Sequence, residues 1–413
     1  MLRIGCLSTL ATIALLGQPT QPPTCDKTPF DEWSKKPDEA RMQWSLHVSP
    51  ASLAENQRLQ TSISANIDAK NIAKRRMIVY LRIQDHDGQS YCNSQELSVR
   101  PSMDVKYVNV LERAAVRPGD YEIAMAIYDP DLKEHSLKRA KLRVGELHRD
   151  PFPDAWRDLP AVEFSSDVPQ TPSRLFLPLK TEKPTNIEII VNLGLDPAKE
   201  PFLISRLKVA SGMAVPNGSI HVTLLDLERQ KIAFALDVAN QLDWSRLNDA
   251  LHENSPFTID AQSLQNYKQN AQFFVSEIAK RLERKQPDRA APVMIVLSAP
   301  RPFPKGQDLR PIQPATSQPI ELYYIRCHLP HWGRKQPPIF DEYGKQLSGW
   351  DAAVAQVNTR PNMPPIGIPF DPANLDSLEQ TLKPLHPRVF EVVTPADFRT
   401  ALGAVISAIA HSK

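Results

Sequence analysis

Three short stretches carry residue types from which a site could be built. The first is Cys327-His328-Leu-Pro-His331, one thiol and two imidazoles within five positions. A structural zinc site wants four ligands in a recognised spacing, and no second Cys/His pair lies nearby. A nucleophilic cysteine wants a histidine base as a spatial neighbour, whatever their order in the chain. The second stretch is Val296-Leu-Ser298-Ala-Pro300, which sets a hydroxyl at the end of an apolar run. It lacks the G-x-S-x-G turn that exposes a hydrolase serine. The third is Asn192-Leu-Gly194-Leu-Asp196, at the end of another apolar run, with Thr258 far downstream. Oxygen-bearing side chains in such a loop suit a hard divalent cation when enough of them converge. Asp226 and Asp237 flank a charged turn and are expected to be solvated charges rather than an acid/base pair. Asn217-Gly218-Ser219 fits a glycosylation sequon, and Pro216-Asn-Gly is first of all a tight turn.

The composition narrows the classes of function. Among 413 residues, 41% are hydrophobic and 23% charged, the balance of a folded globular chain. Proline is the outlier, 39 against 14 glycines, which implies stiff extended connections. A formal charge of +2 gives no basic footprint for nucleic acid. The basic run Lys70–Arg76 is expected to be a solvated turn. Met1-Leu-Arg3 followed by the apolar Leu7–Leu16 and the break Gly17-Gln-Pro19 has the form of a secretory signal. That run is too short to span a bilayer, and no later segment approaches the ~20 apolar residues a span needs. The expectation is a secreted or periplasmic protein with no stable membrane span after cleavage. In an oxidising compartment Cys25, Cys92 and Cys327 favour one disulfide and one leftover thiol, and Cys25–Cys92 would tie the N-terminal tail to the first domain.

The elements that must position these residues fall into two regimes. Over residues 40–147, alternating segments such as Met77–Ile83 and Tyr121–Ile127 predict about seven short strands, an Ig-like β-sandwich. Residues 1–20 are the expected signal peptide. Residues 148–184 are a proline-rich linker in which Phe152 and Trp156 clamp onto a neighbouring domain. From 185 to 413 strands alternate with helices, as in a mostly parallel sheet covered on both sides. Asn186–Val191, Ser219–Leu225, Lys231–Val238, Pro292–Leu297, Glu321–Arg326 and Arg388–Val393 are its expected strands. Leu264 to Leu282 at three- and four-residue spacing predicts a long amphipathic helix. Thr394-Pro-Ala-Asp397 opens the closing helix.

That order of elements, with L-S-A-P after a buried strand and T-P-A-D-F-R-T-A-L at the end, resembles a von Willebrand factor type A (vWA) domain. With the signal and the Ig-like domain ahead of it, the chain is similar to the acidobacterial VWFA-related secreted proteins. The resemblance implies an α/β vWA-like fold, a Rossmann-type open sheet with helices on both faces. It also implies a rim at the carboxyl ends of the strands, holding Asn192, Gly194, Asp196, Thr258 and Ser298. The family's metal-ion-dependent adhesion site is D-x-S-x-S with a distant Thr and Asp. Here Asn192, Gly194 and Asp196 replace the first motif, and Ser298-Ala-Pro300 stands where the distant acid would be. The pocket is thus expected to hold no metal. No P-loop or dinucleotide fingerprint occurs, and no cofactor is expected. These readings imply an exported, non-enzymatic protein that binds a protein partner in adhesion or envelope assembly. The alternatives are an exported hydrolase using Ser298 or Cys327 with His328 or His331, and a divalent-metal adhesion module with atypical ligands.

Overall fold

Period-two alternation builds the first half of the chain. Met77, Val79, Leu81 and Ile83 are buried on one face of a strand while the residues between them are half-exposed. The computed structural model describes residues 25, 29–35, 43–68, 75–97, 107–164, 177–179, 184–193, 200–215, 218–227, 229–238, 243–253, 269–282, 291–300, 312, 320–328 and 376–411. Its first half forms two antiparallel sheets. One runs β1 (Trp44–Val48), β3 (Leu59–Asp68), β6 (Tyr107–Val116), β9 (Val162–Phe164), with β2 (Ser52–Leu53) beside β3. The other runs β5 (Ser90–Leu97), β4 (Met77–Asp85), β7 (Gly119–Asp129), β8 (Glu134–Val144). Tyr121, at the start of β7, donates its hydroxyl to the Arg117 carbonyl at 2.9 Å and to that of Ala161 at 3.3 Å. This pins the R-P-G-D turn to the segment leading into β9. The Cys25–Cys92 disulfide closes a separation of 67 residues and anchors a short helix, Phe30–Trp33, on the β5–β4–β7–β8 sheet.

In the second half a six-stranded sheet runs β14 (Lys231–Val238), β13 (Ser219–Asp226), β11 (Thr185–Leu193), β15 (Ala291–Ser298), β16 (Glu321–Cys327), β17 (Arg388–Val392). All its pairings are parallel except β13–β14. A small parallel pair, β10 (Leu177–Pro178) with β12 (Met213–Ala214), lies apart from it. β11 is apolar on both faces because both are covered. Ile187, Ile189 and Val191 join the core that includes Leu203 and Leu207 of the Glu200–Ala210 helix and Phe398 and Leu402 of the Pro395–His411 helix. Ile190 faces the opposite cluster, with Phe274 and Ile278 of the Asn270–Leu282 helix and Leu378 of the Ser377–Leu382 helix. The closing helix starts with a reciprocal cap. Thr394 Oγ1 accepts from the Asp397 N–H at 3.2 Å, and Asp397 Oδ2 accepts from the Thr394 N–H at 2.8 Å. Gly403 of this helix lies against Pro151, so close that a Cβ there would sit 2.5 Å from the proline Cβ.

The structure corrects the expected fold class. An α/β vWA-like, Rossmann-type domain behind an Ig-like sandwich would give a helix-rich second half. Instead 49% of the described residues are strand and 27% helix, and sandwich-like antiparallel sheets make up much of the molecule. The reason lies in how the elements are covered. One hydrophobic core runs without a break from Ile63 and Met125 in the sandwich to Ile189 and Val191 in the six-stranded sheet. The proline-rich stretch between the halves adds β9 to the sandwich and β10 beside β12. Local alternation of strand and helix was visible in the sequence; the amount of helix, and the sharing of a core, were not. Among the described residues no helix is long and apolar enough to cross a membrane.

Candidate functional site

The rim begins where β11 and β15 end side by side. Their register pairs Val191 with Leu297, which brings Asn192 next to Ser298. Both are buried, at 2% and 0% exposure. Asn192 Nδ2 donates to Ser298 Oγ at 2.9 Å, and Ser298 Oγ donates in turn to the Ala299 carbonyl at 2.7 Å. The hydroxyl is therefore occupied in both directions, and neither of its partners among the described residues is a base. Asn192 Oδ1 is buried without a hydrogen-bond partner among the described residues. It offers one neutral carbonyl oxygen. Gly194, Asp196 and Thr258 lie outside the described residues. The structure thus brings together two of the five expected rim residues. Among the described residues no three His, Cys, Asp or Glu side chains converge as cation ligands.

The Cys-His stretch is divided by where β16 ends, Cys327 being its last residue and His328 the first beyond it. The two side chains have different surroundings: Cys327 lies beside Arg206 of the Glu200–Ala210 helix, and His328 meets Glu391 of β17. Cys327 is 4% exposed, and its thiol contacts the Ile325 carbonyl at 3.6 Å. Burial pushes this thiol above its ordinary pKa, although Arg206 beside it pulls the other way. Such a group stays protonated and is a poor nucleophile. His328 Nε2 instead meets Glu391 Oε2. Arg326 ties the same corner together, reaching Glu391, Glu379 at 3.0 Å and Asp376 at 3.5 Å. Asp376 also accepts from the Tyr324 hydroxyl at 2.7 Å. The corner is a closed ion-pair network on the β16–β17 side of the rim. His331 lies outside the described residues. The two aspartates by the edge hairpin serve separate ends. Asp226 accepts from the Arg229 backbone and guanidinium at 3.0 and 3.2 Å, and Asp237 meets His221 Nδ1 at 2.6 Å.

The seam between the halves joins the expected clamp residues Phe152 and Trp156 to a buried arginine, Arg399, that sequence reasoning did not single out. Arg206, on the Glu200–Ala210 helix, is fully buried and pairs with Glu55 in the β2–β3 turn at 3.1 Å. Gln57 of that turn donates to the Pro395 carbonyl at 2.9 Å. Arg399, on the closing helix, grips Asp150 with two bonds of 2.6 and 2.9 Å and stacks over Trp156 at 4.7 Å. Asp150 also accepts from the Phe152 N–H and the Trp156 indole. The signal for this was present: Asp150-Pro-Phe-Pro-Asp-Ala-Trp156 combines a carboxylate, aromatics and prolines. Its arginine partner lies 249 residues away and has no local signature. Beside the seam is a cleft of about 540 Å³, lined among others by Asp85, Arg117, Tyr121, Glu146, Trp156 and Arg157.

No family model matches this chain, and no curated protein matches it. Solved structures give loose superpositions. A Bacteroides uniformis β-glucuronidase matches at 9% identity and TM-score 0.21, over 78% of this chain and 39% of its own. A glycosyl hydrolase family 2 member from Bacteroides cellulosilyticus matches at 10% identity and TM-score 0.20, over 63% of this chain and 31% of its own. A family 123 glycoside hydrolase from Clostridium perfringens matches at 6% identity and TM-score 0.22, over 62% of this chain and 67% of its own. The chain spans about two fifths of the length of the glucuronidase it matches. Superpositions this loose carry nothing about fold or activity to this chain.

Proposed function

We propose that this chain is an exported, non-enzymatic protein that binds a protein partner, in adhesion or in assembly of the cell envelope. The signal-like start of the sequence is the basis for export. The observation that carries the rest is the state of the two nucleophile candidates. Ser298 is fully buried and spends its hydroxyl on Asn192 and Ala299. Cys327 is buried beside Arg206, burial pushes its thiol pKa up and disfavours the thiolate, and His328 is engaged by Glu391. Neither has the base-activated geometry that nucleophilic catalysis requires. The seam of buried ion pairs favours a stiff body that presents its rim to a partner by direct contacts. Exposed Glu391 and Val393 stand at that rim's edge.

The test is cross-linking in the native host envelope, followed by reconstitution with the purified captured protein. Binding should weaken at least about tenfold in Glu391→Lys, a loss of ~1.4 kcal/mol. Labelling of native Ser298 by a fluorophosphonate, or of native Cys327 by an electrophilic probe, with matching loss of a hydrolytic turnover, would replace this reading with the hydrolase.

A further inference from the structure

The cleft beside the seam, about 540 Å³, is within the roughly 300–1,000 Å³ of small-molecule sites. Its walls come from the β4–β5 and β6–β7 turns, the chain leaving β8, and the seam segment 150–157. Most of the charges on those walls are already engaged. Asp150 is gripped by Arg399 at 2.6 and 2.9 Å, and Asp154 pairs with Arg157 at 3.0 Å. Asp85 accepts from the Asp87 and Gln89 N–H groups at 3.1 and 2.9 Å and from the Tyr91 hydroxyl at 3.3 Å. His86 meets Asp87 at 3.3 Å. Two opposite charges remain. The half-buried Arg117 guanidinium donates from Nη1 to the Arg157 carbonyl at 3.3 Å and has no carboxylate at ion-pair distance among the described residues. The Glu146 carboxylate has no hydrogen bond or ion pair among the described residues. Both line the same cleft, and they do not pair with each other. Arg117 is also set in advance. Its N–H donates to the Ala161 carbonyl at 3.0 Å, and its carbonyl accepts from the Tyr121 hydroxyl at 2.9 Å. The guanidinium thus starts from a fixed base, and little ordering cost falls on a ligand.

We propose that this cleft binds a small zwitterion with free ends, an amino acid or a dipeptide, whose carboxylate docks on Arg117 and whose ammonium docks on Glu146. A guanidinium and a carboxylate fit each other through two parallel hydrogen bonds. Pro118, Leu147 and Pro153 supply an apolar wall, which favours an aliphatic side group. The charge balance decides against simpler ligands. A plain anion would answer Arg117 but face Glu146 and Asp85, and a plain cation would answer Glu146 but face Arg117. Like charges brought together cost binding. A ligand carrying both signs leaves neither wall charge unmatched. The cleft shares no lining residue with the strand-end rim, so the site is independent of what the rim binds.

The test is isothermal titration calorimetry on the full chain, with L-leucine and L-leucyl-L-leucine as probes. At least one of the two should bind. For that probe, the N-acetylated form lacks the ammonium and the C-terminal amide lacks the carboxylate, and each should bind at least about tenfold more weakly. In Glu146→Gln, a substitution at an exposed position, the free-ended probe should fall to the affinity of its acetylated form. In Arg117→Gln it should fall to the affinity of its amide. Circular dichroism checks that both variants are folded. Should Arg117→Gln not fold, the amide probe on the wild-type chain decides that half of the test. Absence of binding by both free-ended probes would overturn the proposal. A blocked form that binds as well as the free one, or a Glu146→Gln chain that binds undiminished, would overturn it equally.

Discussion

Replacing Arg399 by methionine tests whether the seam rests on paired charges. The native pair is nearly dry: Arg399 and Asp150 side chains are 3% and 6% exposed. Methionine keeps the apolar stem against Trp156 and removes the guanidinium, leaving a carboxylate buried with only the Phe152 N–H and the Trp156 indole. Breaking a buried pair from one side costs about 3–5 kcal/mol, and urea unfolding followed by tryptophan fluorescence should register a loss of that size. The double variant Arg399→Met with Asp150→Asn removes the buried charge but keeps an acceptor for only one of those two donors, so it should recover part of the loss. Acid provides a second readout. Burial alone would raise the Asp150 carboxyl, but Arg399, Phe152 and Trp156 outweigh it and hold the group below the usual aspartate value. A depressed folded pKa means the stabilisation is fully present above the unfolded value of about 4 and is lost as pH falls through the lower folded value. In Arg399→Met burial is no longer opposed by a cation, so the gap between wild type and variant should narrow below about pH 4. A loss under about 1 kcal/mol with no pH dependence would refute the reasoning, because it would mean the pair is solvated and weak.

Two further outcomes follow from single atoms. Gly403→Ala in the middle of a helix should stabilise by up to ~1 kcal/mol on propensity alone. Here the new Cβ meets Pro151 Cβ at 2.5 Å and Cγ at 2.9 Å, so thermal melting should show a net loss of about 1–3 kcal/mol. Tyr121→Phe should cost about 1–2 kcal/mol in urea unfolding by stripping a donor from the Arg117 and Ala161 carbonyls. Burial pushes the Tyr121 phenol up to about 12. The raised value contributes stability below the unfolded tyrosine pKa of about 10 that is lost as pH rises through the folded one. The variant should lack that alkaline slope, and absorbance titration should show one late-ionising phenol fewer than in the wild type, where burial also pushes Tyr323 and Tyr324 up.

What the sequence revealed depended on how local the determining physics was. The strand expected at Met77–Ile83 occurs as Met77–Asp85, and that expected at Lys231–Val238 occurs with those bounds. Period-two burial is written residue by residue, and so is the Thr394–Asp397 cap. The long helix expected from Leu264 is described only from Asn270 to Leu282. The Cys25–Cys92 bridge was a guess from compartment and count, and the structure forms it. Fold class was misjudged because it depends on the share of helix and on a core joining distant segments, which no window of sequence displays. At the site, Asn192 and Ser298 were placed together through sheet register. The Cys327–His328 stretch looked promising because sequence proximity does not show that the two side chains have different surroundings. The arginines of the seam, Arg206 and Arg399, carry no local signature, because their carboxylate partners lie 151 and 249 residues away.

The unbroken core between the sandwich and the six-stranded sheet has a mechanical consequence. Among the described residues the sandwich and the six-stranded sheet share one cluster of side chains, which opposes any swing of one against the other. The same continuity means that neither half could be cut away cleanly. Leu177, Trp156 and Leu203 would be stripped of neighbours from across the cut, and each severed piece would carry a raw apolar wound prone to stick to its own kind.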